Sequence, residues 1–178
     1  MNIILTGFMG TGKSAVGRLL AARLGLDFVD TDALIEERQG QSVAAIFAER
    51  GEAVFRRMEA ALAEELAARD DLVIATGGKF MLATENAKAL AAGRIFCLFA
   101  SPEDILARVM ADGAACRPLL AAPEPETKIR ALLAERQVGY AQFPAINTSG
   151  KTPGQIAAEI AARLAAQPAA DSFPFQPV

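Results

Sequence analysis

Apolar and polar residues alternate along the chain in two patterns. Short apolar runs have the length of buried strands, and they read NIILTG, DFVDTD, LVIATGG, RIFCLFA and PAINTSG. Between them lie longer segments with apolar residues at helical spacing, such as AVGRLLAARLGL and GQIAAEIAARLAA. Strands that alternate with helices predict an α/β fold, in which a parallel sheet is covered by helices on both faces.

Two segments depart from this alternation. The stretch ADGAACRPLLAAPEPE is rich in alanine, glycine and proline, and it predicts a mobile excursion at residues 111–124, between a helix ending near Met110 and one beginning near Glu124. Residues 168–178 contain several prolines without helical spacing and predict a loose tail. A chain of 178 residues with 52% hydrophobic content has room for one buried core, so we predict one domain over residues 1–167.

The first apolar run leads into a glycine-rich segment that ends in lysine and serine. This segment, GFMGTGKS from Gly7 to Ser14, matches G-x-x-x-x-G-K-S with a strand before it and an amphipathic helix after it. Glycines let the backbone amides surround phosphate oxygens, and the N-terminus of the following helix adds positive potential. Such a loop places Lys13 at the β- and γ-phosphates and Ser14 at Mg²⁺. A glycine turn without a ligand would not require the Lys-Ser pair.

Two carboxylates, Asp30 and Asp32, follow the second apolar run in FVDTDALIE. If strand geometry continues through both, their side chains begin on the same side. The C-terminal ends of the strands surround the ligand crevice in a doubly wound sheet, so the pair is expected beside the phosphate-binding loop. The alternative is that one of the two aspartates is the N-cap of the next helix.

The segment GEAVFRRMEAAL predicts a helix on which Glu52, Arg56 and Glu59 share one face. Arg56 then either forms an ordinary solvent-exposed ion pair or binds a ligand. The spacing alone favours the exposed ion pair, because such pairs are common on helix surfaces.

Composition and charge exclude several classes of function. The chain has no histidine, which excludes Ser-His and Cys-His nucleophile pairs and the usual zinc sites. Cys97 and Cys116 lie outside any CxxC spacing and are expected to be reduced thiols in the cytosol. The net charge of -3 offers no general attraction to nucleic acid or anionic membrane, and no apolar run reaches the roughly 20 residues of a membrane span. We therefore expect a cytoplasmic protein without nucleic-acid or membrane partners.

Taken in order, the motifs resemble those of the shikimate kinase family. The resemblance runs from Asn2 to about Leu164, and its motifs are GFMGTGKSAVGRLLA, FVDTDALIE, IFAERGEAVFRRMEA, ATGG, CRPLL, LLAERQVGY and NTSGKTPGQI. The phosphate loop alone marks a large superfamily, whereas the series D-x-D, G-E-x-x-F-R-x-x-E, G-G and R-P-L-L is specific. The family implies a three-layer P-loop NTPase fold with a five-stranded parallel sheet in the order 2-3-1-4-5 and a mobile lid. It also implies ATP-dependent phosphorylation of the 3-hydroxyl of shikimate in aromatic amino-acid biosynthesis.

The resemblance further assigns roles around the acceptor, within an acceptor-binding region at residues 31–60. It implies that Asp32 orients the ring hydroxyls and is a candidate base, and that Arg56 and Arg136 bind the carboxylate of shikimate. Such a carboxylate suits bidentate arginines. The backbone of Gly77 and Gly78 is expected to contact the substrate, because glycine lets it approach closely.

On the nucleotide side, the resemblance adds Asp30 to the Mg²⁺ shell beside Ser14. Arg117, in the lid at residues 111–124, is expected to stabilise the charge of the transferring phosphoryl group, and Arg108 is expected to flank adenine together with the turn from Lys151 to Pro153. The predicted ATP-binding residues are Gly10, Thr11, Gly12, Lys13, Ser14, Ala15, Arg108, Arg117, Lys151 and Pro153.

The chain departs from the family at three places. Val138-Gly139 stands where the family often has Pro-Leu, and Lys151 stands where an arginine is frequent. Both changes look tolerable, because they affect packing and adenine stacking. Lys79 replaces a usual third glycine, which predicts ordinary backbone dihedrals at this position, with the amide still offered to the substrate. Its ammonium group either points into solvent or leans toward the acceptor.

Two alternatives to a shikimate kinase stay open. One is a kinase of another small polyhydroxylated acid, and the other is a non-catalytic nucleotide-binding relative that acts through partners. A non-catalytic relative would be expected to lack Lys13, Asp32 or Arg117, and a gluconate-type kinase would be expected to lack paired arginines with D-x-D. The chain retains all of these, so we expect it to bind ATP and shikimate with Mg²⁺ as cofactor. We also expect a monomer.

Overall fold

The structure is a computed structural model that describes residues 1–111 and 124–166. In this part of the chain, five parallel strands form one sheet in the order β2-β3-β1-β4-β5. The strands are Ile3–Thr6 (β1), Asp27–Asp30 (β2), Leu72–Ala75 (β3), Arg94–Phe99 (β4) and Ala145–Asn147 (β5). Each of the five apolar runs contains one strand, which confirms the predicted fold class, and the observed pairing of the strands confirms the predicted order.

Helices connect the strands and cover the sheet. They are Lys13–Leu24 (α1), Thr31–Gln39 (α2), Val43–Arg50 (α3), Glu52–Ala67 (α4), Thr84–Ala89 (α5), Pro102–Ala111 (α6), Pro125–Ala141 (α7) and Pro153–Ala166 (α8). A short 3-10 helix, Phe80–Leu82, follows β3. No helix within residues 1–111 and 124–166 has the length and apolar character needed to cross a membrane.

The core lies on both faces of the sheet, which is why the central strand β1 and its neighbour β3 are buried along their whole length. Ile3 and Leu5 of β1 belong to the cluster that includes apolar residues of α1 and α8. Ile4, between them, belongs to the cluster with apolar residues of α2, α3, α4 and α5. Side chains of a strand point to opposite faces in turn, so these two clusters define the outer layers of a three-layer fold.

Two of the predicted segments lie mostly outside the described residues. Helix α6 ends at Ala111 and α7 begins at Pro125, close to the predicted limits of the excursion. Residues 112–123 and 167–178 are not described, so the lid, Arg117 in it and the C-terminal tail stay predictions. The division of the chain at residue 167 likewise stays a prediction.

The expectation that strand geometry continues through both aspartates is wrong. Strand β2 stops at Asp30 and helix α2 starts at Thr31, so Asp32 lies in the first turn of a helix. The alternative applies to Asp30, whose side chain is the N-cap and accepts hydrogen bonds from the amides of Asp32 and Ala33. An aspartate at this position stabilises the helix by satisfying two amides of its first turn.

Candidate active site

The loop between β1 and α1 turns through three glycines with positive φ. These angles are 132° at Gly7, 72° at Gly10 and 92° at Gly12, a region that residues with a side chain rarely adopt. A Cβ atom on Gly7 would overlap the carbonyl oxygen of Leu98. The glycines therefore allow both the backbone path of the loop and its close contact with β4.

Lys13 is the first residue of α1, and its ammonium group lies against this loop. Its Nζ donates hydrogen bonds of 2.8 Å to the carbonyl oxygens of Gly7 and Phe8. The Thr11 hydroxyl donates to the same Phe8 carbonyl at 2.7 Å. The cation is thus held at the loop that the sequence assigned to phosphate.

Ser14 and Asp30 come together beside the loop, as the predicted Mg²⁺ site requires. The Ser14 hydroxyl donates a 2.5 Å hydrogen bond to Oδ2 of Asp30. Within residues 1–111 and 124–166 there is no group of three or more carboxylate or cysteine side chains that could hold a metal by themselves. One hydroxyl and one carboxylate suit Mg²⁺, which takes few protein ligands and completes its shell with phosphate oxygens and water.

Arg108 connects the phosphate loop to the segment after β5. Its guanidinium donates to the carbonyl oxygen of Gly10 at 3.3 Å, to the Thr148 hydroxyl at 2.9 Å and to the Thr148 carbonyl at 2.7 Å. The amide of Lys151 donates to the Thr148 carbonyl oxygen at 3.3 Å, and Pro153 begins α8. The structure thus brings Arg108 and the predicted adenine turn to the same side of the loop. The Lys151 ammonium itself donates to Glu159 at 2.7 Å.

The turn after β3 is built around two carboxylates. The Gly77 amide donates to the Thr31 hydroxyl at 2.9 Å, which fixes the turn next to the start of α2. A Cβ on Gly77 would lie 2.5 Å from Oδ1 of Asp32 and 3.2 Å from Oε1 of Glu59. Both of these oxygens are buried and lack a hydrogen-bond partner among the described residues. Gly77 therefore leaves room for the two carboxyl groups.

Burial sets the protonation of these carboxyls. Burial, reinforced by the charge of Asp30, raises the pKa of Asp32, while the charges of Lys13 and Arg56 oppose the rise. Burial also raises the pKa of Glu59 to about 7, against the opposing effect of Arg56. The Asp32 carboxyl is thus influenced by two cations, Lys13 of the phosphate loop and Arg56 of α4. A carboxylate with a raised pKa binds a proton more readily, which is the property that a proton acceptor requires.

Arg56 on α4 is held by two carboxylates of very different exposure. Its Nη1 donates to Oε2 of Glu59 at 2.5 Å, and the Glu59 side chain is 1% exposed. Its Nε and Nη2 donate to Oε1 of Glu52 at 3.2 and 2.9 Å, and the Glu52 side chain is 52% exposed. The predicted shared face is confirmed, whereas the picture of an ordinary solvated ion pair holds only for Glu52.

Arg136 reaches the same turn from α7. Its guanidinium carbon lies 5.3 Å from the centre of the Phe8 ring, and its buried Nε has no hydrogen-bond partner among the described residues. A Cβ on Gly78 would lie 3.4 Å from Nη1 of Arg136. The Tyr140 hydroxyl donates to the Gly78 carbonyl oxygen at 2.6 Å and so fastens α7 to the turn. Burial raises the pKa of Tyr140 to about 12, which keeps this donor protonated.

Between α4, the end of the β3 turn and α7 lies an open cavity of about 390 Å³. Three of its lining residues are the cations Arg56, Lys79 and Arg136. The other lining residues are Leu82, Ala83, Glu135 and Gly139. Two predicted substrate-binding arginines, which are 80 positions apart in the sequence, therefore face one cavity beside the Gly77-Gly78 turn.

Of the two expectations for the Lys79 ammonium group, the structure agrees with the one in which it leans toward the cavity, because Lys79 lines that cavity. Its backbone is ordinary, with φ -101° and ψ -5°, as predicted. Its Nζ lies 3.5 Å from Oε1 of Glu52, and the side chain is 38% exposed. The lysine thus lies at the rim of the cavity in an ion pair instead of pointing freely into solvent.

Sequence reasoning did not assign site roles to Glu59 and Tyr140. A signal was present for Glu59, because Phe55 and Leu62 lie four residues before it and three after it and are buried on the same helix face. A glutamate within such an apolar stripe indicates a buried charge with a partner. Tyr140 has no comparable signal, since its contact with Gly78 joins segments 62 residues apart.

A phosphate loop, an adjacent serine-aspartate pair and a cationic cavity on a five-stranded parallel sheet define a P-loop kinase of small molecules. A family model described as shikimate kinase matches residues 9–165. The shikimate kinase of Symbiobacterium thermophilum is 52% identical over 143 residues, which are 80% of this chain and 82% of that protein. The chain belongs to the shikimate kinase family.

Solved structures agree at the level of the fold. Shikimate kinase from Acinetobacter baumannii in complex with shikimate superposes with a TM-score of 0.86 at 36% identity, covering 93% of each chain. A gluconokinase from Sinorhizobium meliloti superposes with a TM-score of 0.61 at 20% identity, covering 93% of this chain and 91% of that one. The second likeness shows a shared fold alone.

Proposed function

We propose that the protein transfers the γ-phosphoryl group of ATP to the 3-hydroxyl of shikimate, giving shikimate 3-phosphate and ADP. The observation that carries this proposal is the cavity that Arg56 and Arg136 share beside the glycine turn. Two arginines are suited to a ligand with one carboxylate, because guanidinium groups bind carboxylates in a bidentate manner. The buried Oδ1 of Asp32, next to the same turn, is suited to the hydroxyls of the ligand.

The phosphate loop and Lys13 bind and orient the nucleotide in this proposal. The backbone amides of the loop surround the phosphates, and the Lys13 ammonium neutralises charge on the β- and γ-phosphates. Ser14 and Asp30 would hold Mg²⁺, which supplies further charge neutralisation at the phosphates when it is bound. Gly10, Thr11 and Gly12 belong to the same loop, and Ala15 lies in the first turn of α1 after it. Arg108 connects the loop to Thr148, which accepts a hydrogen bond from the amide of Lys151 in the predicted adenine turn.

Asp32 orients the acceptor hydroxyl and takes its proton. As the bond forms between the hydroxyl oxygen and the γ-phosphorus, the bond to the bridging oxygen of ADP breaks, and the hydroxyl proton passes to a carboxylate oxygen of Asp32. The raised pKa of Asp32 makes this carboxylate a better proton acceptor than an exposed aspartate. Arg117, which lies outside the described residues, is proposed to stabilise the transferring phosphoryl group.

A coupled assay of ADP release with shikimate, quinate and gluconate tests this function. We expect turnover of shikimate, with phosphorus NMR identifying the 3-phosphate as product. The Lys13→Met variant, prepared in parallel, measures the contribution of contaminating kinases. Turnover of quinate or gluconate without turnover of shikimate would overturn the proposal and favour a kinase of another polyhydroxylated acid.

The oligomeric state and the location of the enzyme are part of the same proposal. One chain supplies Asp32, Arg56 and Arg136, so the proposed site does not require a second copy. We therefore propose a monomer that acts in the cytoplasm without nucleic-acid or membrane partners. Light scattering after size-exclusion chromatography tests the monomer, and a mass near twice the 18.7 kDa of the chain would contradict it.

A further inference from the structure

A chain of alternating charges crosses the rim of the acceptor cavity. It consists of Lys79, Glu52, Arg56 and Glu59, in that spatial order. One oxygen, Oε1 of Glu52, accepts from Nε and Nη2 of Arg56 and lies 3.5 Å from Nζ of Lys79. Both cations at this rim are therefore partly neutralised by the same carboxylate.

The two carboxylates that bind Arg56 differ in how easily they can be replaced. Glu59 is buried and holds Nη1, so it fixes the position of the guanidinium from within the protein. Glu52 is half exposed and covers Nε and Nη2, which form one edge of the guanidinium. This edge has the two parallel donors that a ligand carboxylate would use. A ligand carboxylate binding there must displace Glu52.

A displaced Glu52 keeps two favourable interactions. It is the first residue of α4, where the positive end of the helix favours a carboxylate. Lys79 also remains beside it, at the end of the β3 turn. Without this lysine, Arg56 would be the one cationic partner of Glu52 in this charge chain.

We propose that Lys79 is a positioning residue for acceptor binding: it retains the Glu52 carboxylate at the rim while Arg56 exchanges Glu52 for the carboxylate of the acceptor. The inference rests on the proposed function, because it requires an acceptor with a carboxylate at Arg56. It assigns Lys79 an indirect role, since the cation acts through Glu52 and does not bind the acceptor.

A double-mutant cycle of Lys79→Met and Glu52→Gln separates an indirect role from a direct one. The KM for shikimate, the Kd from calorimetry and kcat are measured for the wild type, both single variants and the double variant. We expect Lys79→Met to raise KM and Kd about 2- to 5-fold, the range for an exposed ion pair, with kcat changed less than about 2-fold. We expect Glu52→Gln to lower both, because a neutral amide competes less well for Arg56.

The decisive comparison is the effect of Lys79→Met in the Glu52→Gln background. If Lys79 acts through Glu52, its removal there leaves KM and Kd unchanged. The same fold-increase in both backgrounds would show that Lys79 binds the acceptor directly and would overturn the inference. Unchanged KM and Kd in the single Lys79→Met variant, or a rise in Glu52→Gln, would overturn it as well.

Two further variants test whether the positive charge at position 79 causes the effect. Lys79→Arg keeps the cation and is expected to keep the wild-type KM. Lys88→Met removes an exposed lysine of α5 and is expected to change neither constant. The increase in KM and Kd caused by Lys79→Met is expected to shrink at high salt, because exposed charges are screened.

If the wild type fails to turn over shikimate, the proposed function fails together with the inference. If the wild type turns over shikimate but Lys79→Met has the same effect on KM and Kd with and without Glu52→Gln, the inference is refuted and the proposed function stands.

Discussion

The phosphate loop and the acceptor cavity are built in opposite ways. The loop lies within Gly7–Ser14, and the polar groups of Lys13 and Thr11 donate to its own carbonyl oxygens. The acceptor cavity takes its charged groups from α4, the β3 turn and α7. Three buried atoms around it, Oδ1 of Asp32, Oε1 of Glu59 and Nε of Arg136, have no hydrogen-bond partner within residues 1–111 and 124–166.

The difference shows where each half of the site gets its geometry. A phosphate group is recognised by backbone amides, which a glycine-rich segment can present on its own. A small hydroxylated acid is recognised by side chains at defined positions, and these must come from distant segments. Buried polar atoms without partners lower stability. Among the described residues there are five such atoms, of which three belong to the side chains around the glycine turn and two to Thr6 and Asn86.

The largest effect is expected from removing the cation of the phosphate loop. Lys13→Met takes away the charge at the β- and γ-phosphates, so we expect a loss of transfer of more than about 10³-fold, to below detection. Steady-state ADP release measures it, and a thermal melt checks that the fold survives. Retained activity with normal ATP dependence would contradict the assignment of the whole loop.

On the acceptor side, the largest effect is expected from Asp32→Asn, which keeps the size of the side chain and removes its charge. We expect kcat to fall on the order of 10²-fold or more, because the hydroxyl loses its proton acceptor. Asp27→Asn, an exposed change at the start of the preceding strand β2, is the matched control and should keep wild-type kcat. Near-wild-type kcat in Asp32→Asn would show that this carboxylate is not the base.

The same residue predicts the acidic limb of the pH profile. A base must be ionised, so kcat/KM for shikimate should fall as the pH is lowered through the pKa of Asp32 in the free enzyme. Burial raises that pKa above the ordinary 3.8 of an aspartate, so the limb should lie at higher pH than it would for an exposed aspartate. The remaining activity of Asp32→Asn should lack this limb.

Two arginines should separate binding from turnover. Arg56→Ala removes a charge-assisted contact with the acceptor carboxylate, so the KM for shikimate should rise about 10- to 100-fold. Arg117→Ala should mainly lower kcat, because its proposed contact is with the transferring group. The adjacent Arg57→Ala, an exposed change on the same helix, should leave both constants near wild type. The same kinetic pattern in Arg56→Ala and Arg117→Ala would make this division of roles wrong.

The smallest effect is expected from adding one methyl group at the glycine turn. The Cβ of Gly77→Ala would lie 2.5 Å from Oδ1 of Asp32, so the carboxylate must move. We expect kcat/KM for shikimate to fall about 3- to 30-fold, since a small misplacement of a catalytic group is sufficient to slow transfer. The KM for ATP should stay unchanged, because the phosphate loop is a separate structure. An equal change in both KM values would show that the two regions are coupled.

Much of the phosphate side was predictable because it is local in sequence. Eight consecutive residues determine the loop, and the five apolar runs determine the strands around it. The strand order 2-3-1-4-5 was available only through the resemblance to a family, since apolar runs do not specify which strands pair. The sequence also placed Glu52, Arg56 and Glu59 on one helix face, because helical spacing fixes it.

Tertiary structure decided which of those charges are buried and which groups meet. Burial makes Glu59 the inner partner of Arg56 and raises its pKa to about 7, whereas Glu52 remains exposed at the rim. Because α2 starts at Thr31, Asp30 is the N-cap of this helix and Asp32 lies in its first turn. The pairing of Lys79 with Glu52 and of Tyr140 with Gly78 depends on the packing of separate segments. Spacing along the chain specifies a face of a helix, but desolvation and contact between elements exist only once the chain has folded.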